Sequence, residues 1–150
     1  MRIAIERPDQ PDVLQLIEAL DAYQIPLYPL ESHHGIDINA LRAPNVLFAV
    51  VRDDEQQALA CGAIVLGPEY AELKRMFVRP EHRGKGIARA LLAYLESEAA
   101  ARNCNTFVLE TGIRQPEALS LYTKAGYVRC DPFGGYVHDP FSVFMRKVID

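Results

Sequence analysis

Val78-Arg79-Pro80-Glu81-His82-Arg83-Gly84-Lys85-Gly86-Ile87-Ala88-Arg89 is the stretch whose reading decides the fold. It leaves an apolar segment, turns at Pro80, passes two glycines set among basic residues, and opens into an amphipathic run. From Gly86 to Arg102, Ile87, Leu91 and Leu95 share one helical face with Ala88, Leu92 and Ala99, and Arg89, Glu96 and Arg102 are expected to face water. A strand, a glycine turn and a helix in this order form an anion site. Glycines let backbone approach a ligand, the first helical N–H groups lack internal partners, and the helix dipole places partial positive charge there. Arg83, Lys85 and Arg89 add formal charge, so a pyrophosphate is the natural guest.

Two common nucleotide sites fail here. No Gly-x-x-x-x-Gly-Lys-Ser/Thr is present, and Gly-x-Gly-x-x-Gly breaks at position 89, which is Arg. Outward from the turn, alternation predicts strands at residues 2 to 7, 46 to 52, 58 to 66, 71 to 78, 106 to 110 and 142 to 148. The alternation breaks where Met76, Phe77 and Val78 are all apolar, which is compatible with a bulge. Helices are expected from Asp9 or Pro11 to near Tyr23, briefly around Ile38 to Leu41, and from Pro116 to Ala125, where Gly126 ends the last one. Residues 25 to 35 hold two prolines and a glycine and read as a long loop.

The 150 residues suffice for one packed domain, expected to span 1 to 150 without disulfides. Cys61, Cys104 and Cys130 are odd in number and widely spaced, so they encode neither a disulfide framework nor a zinc site. A net charge of −4 argues against a nucleic-acid partner. Apolar runs such as Val46 to Val51 are far shorter than the ~20 residues of a membrane span. With no signal-peptide pattern at the N-terminus, a soluble, cytoplasmic protein is expected.

Arg83-Gly84-Lys85-Gly86-Ile87-Ala88 matches the Arg/Gln-x-x-Gly-x-Gly/Ala signature of the GNAT superfamily of acetyl-CoA-dependent N-acetyltransferases. Gln115 through Tyr127, with Ala118-Leu119-Ser120-Leu121-Tyr122-Thr123-Lys124-Ala125-Gly126-Tyr127, resembles that superfamily's second conserved helix and turn. The resemblance implies an α/β (α+β) fold: a mixed, mostly antiparallel sheet of six to seven strands, splayed at a central parallel pair and flanked by about four helices. It also implies acetyl-CoA as co-substrate, with no metal, and dimerisation is common among proteins of this resemblance. Backbone of Met76, Phe77 and Val78 would pair with the pantetheine arm, and Arg83, Gly84, Lys85, Gly86, Ile87, Ala88 and Arg89 would cradle the pyrophosphate. Gln115 stands where the second motif often has an Asn that contacts the cofactor arm.

The same resemblance places Tyr122 near the thioester sulfur, where a phenol can protonate or hydrogen-bond the departing thiolate. Attack by a neutral amine also needs a base. Glu72 lies eleven residues before Arg83, the register at which some GNAT members carry a catalytic glutamate, although pairing with Lys74 or Arg75 is the plainer role. Glu110, at the end of the following strand, is a second carboxylate candidate.

The acceptor, a small-molecule primary amine, is expected between residues 23 to 36 and 130 to 142, with Glu31, His33, Tyr136 and Asp139 as contacts. His33-His34 lacks a patterned third ligand and reads as loop, and His33 could serve instead as a base. The ending Pro-Phe-Gly-x-Tyr-x-x-Asp-Pro-x-Ser-Val-Phe-Met resembles a bacterial GNAT subgroup, some of whose members have indoleacetate-related names. Indoleacetate has no amine, so that name is not carried over. A peptide or protein acceptor and a non-catalytic acyl-CoA sensor are the alternatives.

Overall fold

The computed structural model describes residues 1 to 32 and 36 to 149. Seven strands form one sheet: β1 (Arg2–Ile5), β2 (Val46–Arg52), β3 (Ala58–Leu66), β4 (Ala71–Val78), β5 (Thr106–Gly112), β6 (Val128–Cys130) and β7 (Ser142–Val148). Among the described residues, four helices accompany it: α1 (Pro11–Gln24), α2 (Ile38–Leu41), α3 (Ile87–Ala100) and α4 (Pro116–Lys124). Short 3-10 turns occur at Ile25–Leu27, Leu30–Ser32 and Pro80–His82. The strand order is β1-β2-β3-β4-β5-β7-β6, antiparallel throughout except for the parallel pair β4 and β5. This is the expected GNAT acyl-CoA N-acyltransferase architecture.

Alternation assigns the two faces of the sheet. Leu47, Ala49 and Val51 of β2 pack with Leu91, Leu92 and Leu95 of α3, and Phe48 and Val50 pack with Val13, Leu16 and Leu20 of α1. Along β4, Ala71 and Leu73 join the α3 side, so Glu72 and Lys74 face the α1 side. The parallel pairing runs only from Ala71 opposite Phe107 to Leu73 opposite Leu109, and beyond it the strands separate.

The separation coincides with the bulge that the sequence suggested. Ala63 faces Lys74 and Cys61 faces Phe77, which leaves Arg75 and Met76 opposite Gly62 alone. Arg75 takes up the extra residue in a left-handed conformation, φ 59°. A Cβ on Gly62 would come within 2.4 Å of Met76 Sδ, so the glycine makes room for the bulged strand. The extra residue turns the Arg75 side chain toward α1, where it bonds Asp21 and donates to the Ile36 carbonyl at 3.1 and 3.2 Å.

At the far end of the sheet, Arg52 gathers the start of the chain. Its guanidinium, 9% exposed, bonds Glu6 after β1 at 2.9 Å and Asp12 in the first turn of α1 at 2.6 Å.

Three readings of the sequence need correction. β1 stops at Ile5 rather than residue 7, ahead of Pro8, which has no N–H to pair. β6 was not anticipated, because a three-residue edge strand shows no alternation. Glu96 does not face water: at 9% exposure it accepts from Tyr127 Oη at 2.8 Å and Lys147 Nζ at 2.9 Å, partners that arrive from distant sequence. Cys61, Cys104 and Cys130 are free thiols, and burial pushes the Cys61 thiol up to about 12.

Candidate active site

The glycine turn has the properties of an anion cradle. Gly84 and Gly86 sit at φ 77° and 79°, and a Cβ on either would meet no protein atom within 4 Å. Packing therefore does not demand these glycines; the backbone conformation does, and it leaves open space in front of them. Among the described residues, the amides of residues 84 to 89 donate to no protein acceptor, and the first helical bond runs from Ala90 N to Gly86 O. Arg83 is held beside the turn by its Nε bond to Val78 O at 3.0 Å and lies over the Tyr23 and Phe77 rings.

These groups border a cleft of about 740 Å³ that runs from the turn to α4. Arg83, Gly84, Gly86, Ile87, Ala88 and Arg89 line it, as do Met76, Phe77, Val78 and Gln115, whereas Lys85 does not. The donor-rich, cation-bearing wall fits a pyrophosphate, and the parted β4 offers an unpaired strand edge beside it.

A second cleft, of about 450 Å³, lies on the α1 side of the sheet where β4 and β5 part. It takes Glu72, Lys74 and Arg75 from β4 and Glu110 from β5. Tyr28 comes from the early loop, and Tyr136 and Phe141 from the late one. Leu20, Met76, Gln115, Ala118 and Tyr122 border both clefts. The two clefts therefore meet at the sheet opening, with Tyr122 at the junction.

Tyr122 is 6% exposed and packs edge-on against Tyr127, ring centroids 5.8 Å apart. Among the described residues its hydroxyl forms no hydrogen bond. Burial raises its pKa, so at neutral pH it is a phenol with a proton to give.

Glu72 is tied to Tyr136 and Lys74, whereas Arg75 pairs with Asp21. Glu72 Oε2 accepts from Tyr136 Oη at 2.7 Å and lies 3.4 Å from Lys74 Nζ, which itself donates to Tyr136 Oη at 2.9 Å. Burial and the Glu72 carboxylate push the Tyr136 phenol well above its ordinary value. Pairing with Lys74 thus holds in the structure, alongside the position of Glu72 on the cleft wall.

Gln115 Oε1 accepts from Tyr28 Oη at 3.0 Å, so its amide oxygen is engaged from the early loop. Tyr28 lies so close over Gly112 that a Cβ there would fall 1.7 Å from its hydroxyl, and only glycine admits the ring. Glu31 is exposed on its 3-10 turn and Asp139 accepts from Ser32 Oγ at 2.6 Å and Phe141 N at 2.8 Å; neither lines the cleft. Asp139 instead ties the early loop to the late one, the turn-forming role common for aspartate. His33 lies outside the described residues.

Lys74, Tyr28 and Asp21 were not singled out as site residues from the sequence. Lys74 was readable, since it alternates with Glu72 on one strand face. Tyr28 lies in the stretch 23 to 36 expected to wall the acceptor pocket, but its place over the cleft depends on Gly112, and that of Asp21 depends on the Arg75 bulge.

The family model for the Acetyltransferase (GNAT) family matches residues 12–127. An "IAA acetyltransferase" of Azospirillum brasilense is 46% identical over 147 residues, covering 97% of this chain and 95% of that one. A Klebsiella pneumoniae crystal structure assigned as an acyl-CoA N-acyltransferase is 38% identical, covers 98% of this chain and 96% of its own, and has a TM-score of 0.84. The PaiA N-acetyltransferase of Thermoplasma acidophilum, solved with coenzyme A, shares the fold at 18% identity, covering 99% of both chains with a TM-score of 0.75. A strand parted from its parallel neighbour beside a donor-rich glycine turn thus occurs here in a chain alike over nearly its whole length to acetyltransferases, and the protein belongs to the GNAT family of acetyl-CoA-dependent acyltransferases.

Proposed function

We propose that residues 1 to 150 act as one domain that moves an acetyl group from acetyl-CoA to a primary amine of a small molecule, by direct attack within a ternary complex. The observation that carries this reading is the junction of the two clefts at Tyr122. The amides of residues 84 to 89 and the side chains of Arg83 and Arg89 hold the pyrophosphate, and the backbone of Met76, Phe77 and Val78 takes the pantetheine arm. Gln115, engaged by Tyr28, borders the path between the clefts.

Tyr122 gives its proton to the departing sulfur. Glu72 takes the amine proton as the new carbon–nitrogen bond forms and the carbon–sulfur bond breaks, and solvent restores both groups. Four carboxylates, Asp21, Asp37, Glu72 and Glu110, and two cations, Lys74 and Arg75, line the acceptor cleft among the described residues. That balance favours capture of an amine as its ammonium form, which gives one proton to solvent before the neutral amine attacks. A cleft of about 450 Å³ with Tyr28, Tyr136 and Phe141 in its walls suits a small acceptor, and the name of the Azospirillum relative points the same way.

Coenzyme A thiol release, followed against small amines, amino acids and short peptides, tests the reading. Amine-dependent release with higher kcat/KM for small amines is expected. Release with peptides alone would replace the acceptor class, and acetyl-CoA binding without release from any of them would leave a binding domain in place of an enzyme.

A further inference from the structure

Among the described residues the Glu72 carboxylate is engaged through one oxygen. Oε2 accepts from Tyr136 Oη at 2.7 Å and sits 3.4 Å from Lys74 Nζ, while Oε1 has no partner there. Tyr136 is itself fixed. Its ring packs edge-on against Phe133 at 5.1 Å and Phe144 at 5.4 Å, and Phe133 packs against Tyr70 at 5.5 Å. Phe144 belongs to β7, so a loop of otherwise irregular backbone is anchored to the sheet by aromatic contacts.

The geometry points to Tyr136 as the positioning residue for Glu72: with Lys74 it holds Oε2 and leaves Oε1 to take the acceptor's proton. This rests on the reading of Glu72 as the base. It moves Tyr136 from a wall that touches the acceptor to a part that orients the carboxylate, and it makes the late loop a component of proton transfer. A carboxylate bonded at one oxygen cannot rotate freely, so the second oxygen stays in register with the incoming amine. Burial of the phenol beside Glu72 keeps Tyr136 protonated, as a donor must be. Among the described residues, the charged groups that share the cleft with Glu72 are Lys74 on its own strand, Glu110 on β5, Asp37 at the start of α2, and the Asp21–Arg75 pair that joins α1 to the bulge.

Tyr136→Phe removes the hydroxyl and keeps the ring in its aromatic cluster. The expected result is a fall in kcat of about tenfold or more, with acetyl-CoA affinity and acceptor KM within about twofold of wild type. The acidic limb of the kcat/KM profile should move to higher pH, because a carboxylate that loses a donor takes up a proton more readily. A packing role alone would lower the melting temperature and leave that limb in place. Raised acceptor KM with unchanged kcat would overturn the inference in favour of direct acceptor contact, and so would an unmoved limb. Glu72→Gln, measured in parallel, separates the two claims. Loss of the acidic limb there with no movement in Tyr136→Phe overturns only the positioning role, and a wild-type limb in Glu72→Gln overturns the base assignment and the inference together.

Discussion

Tyr122→Phe should lower kcat by about a hundredfold or more while leaving the dissociation constant of acetyl-CoA within about twofold of wild type. The change deletes one oxygen from a residue at the junction of the two clefts and leaves the ring, which packs against Tyr127 at 5.8 Å. The hydroxyl makes no hydrogen bond among the described residues, so its removal strands no partner and costs little stability. What is lost is a proton donor held neutral by burial and available only to a bound ligand. Steady-state thiol release with separate calorimetric binding distinguishes the outcomes. Equal losses in turnover and affinity would assign Tyr122 to binding rather than to the leaving group.

Arg52→Met should destabilise the fold by about 3 kcal/mol or more at pH 7, the range found when one partner of a buried ion pair is removed. Arg52 is 9% exposed and its main partner Glu6 15%, so the variant leaves a carboxylate largely out of water. For Glu6, burial works against ionisation, but the bonds from Arg52 and Gln10 outweigh it and hold the carboxyl below its ordinary value. The Arg52 bond also lowers Asp12, although that side chain is 43% exposed and solvent screens its share. Both folded-state values are depressed. The stabilisation is therefore fully present above the ordinary carboxylate range and is lost as pH falls through the folded-state values beneath it. Urea unfolding of both proteins should show a gap that is wide at pH 7 and narrows in acid. A gap independent of pH would mean that Arg52 acts through packing of its alkyl stem.

The parts of the fold governed by local physics were legible in the chain. Alternation and helical spacing placed most elements of the sheet and α3 to within a residue or two, and the run Met76-Phe77-Val78 marked the bulge. Paired glycines before a helix marked the left-handed turn, because few other residues adopt φ near 78° twice in three positions. What the sequence hid depends on contacts between distant segments. Glu96 reads as a surface residue until Tyr127 and Lys147 arrive to satisfy it. Asp139 reads as an acceptor contact until Ser32 takes its oxygen, and Glu31 as another until its turn leaves it exposed. Tyr136 reads as an acceptor contact, and its bond to Glu72 follows from the aromatic cluster that anchors the late loop. Lys85 is expected in the cradle from its charge and from the motif resemblance, and the turn leaves it off the cleft wall.

The central claim is that acetyl-CoA binds across the glycine turn and reaches Tyr122 through the parted strands. Calorimetric titration of the wild type and of Gly86→Val with acetyl-CoA tests it most directly. A β-branched residue at φ 79° costs roughly 1–3 kcal/mol in the conformation the cradle needs, and its side chain would fill the open space in front of the turn. One saturable site in the wild type, weakened by about tenfold or more in Gly86→Val, is the predicted result. No binding by the wild type, or equal binding by both, would contradict it.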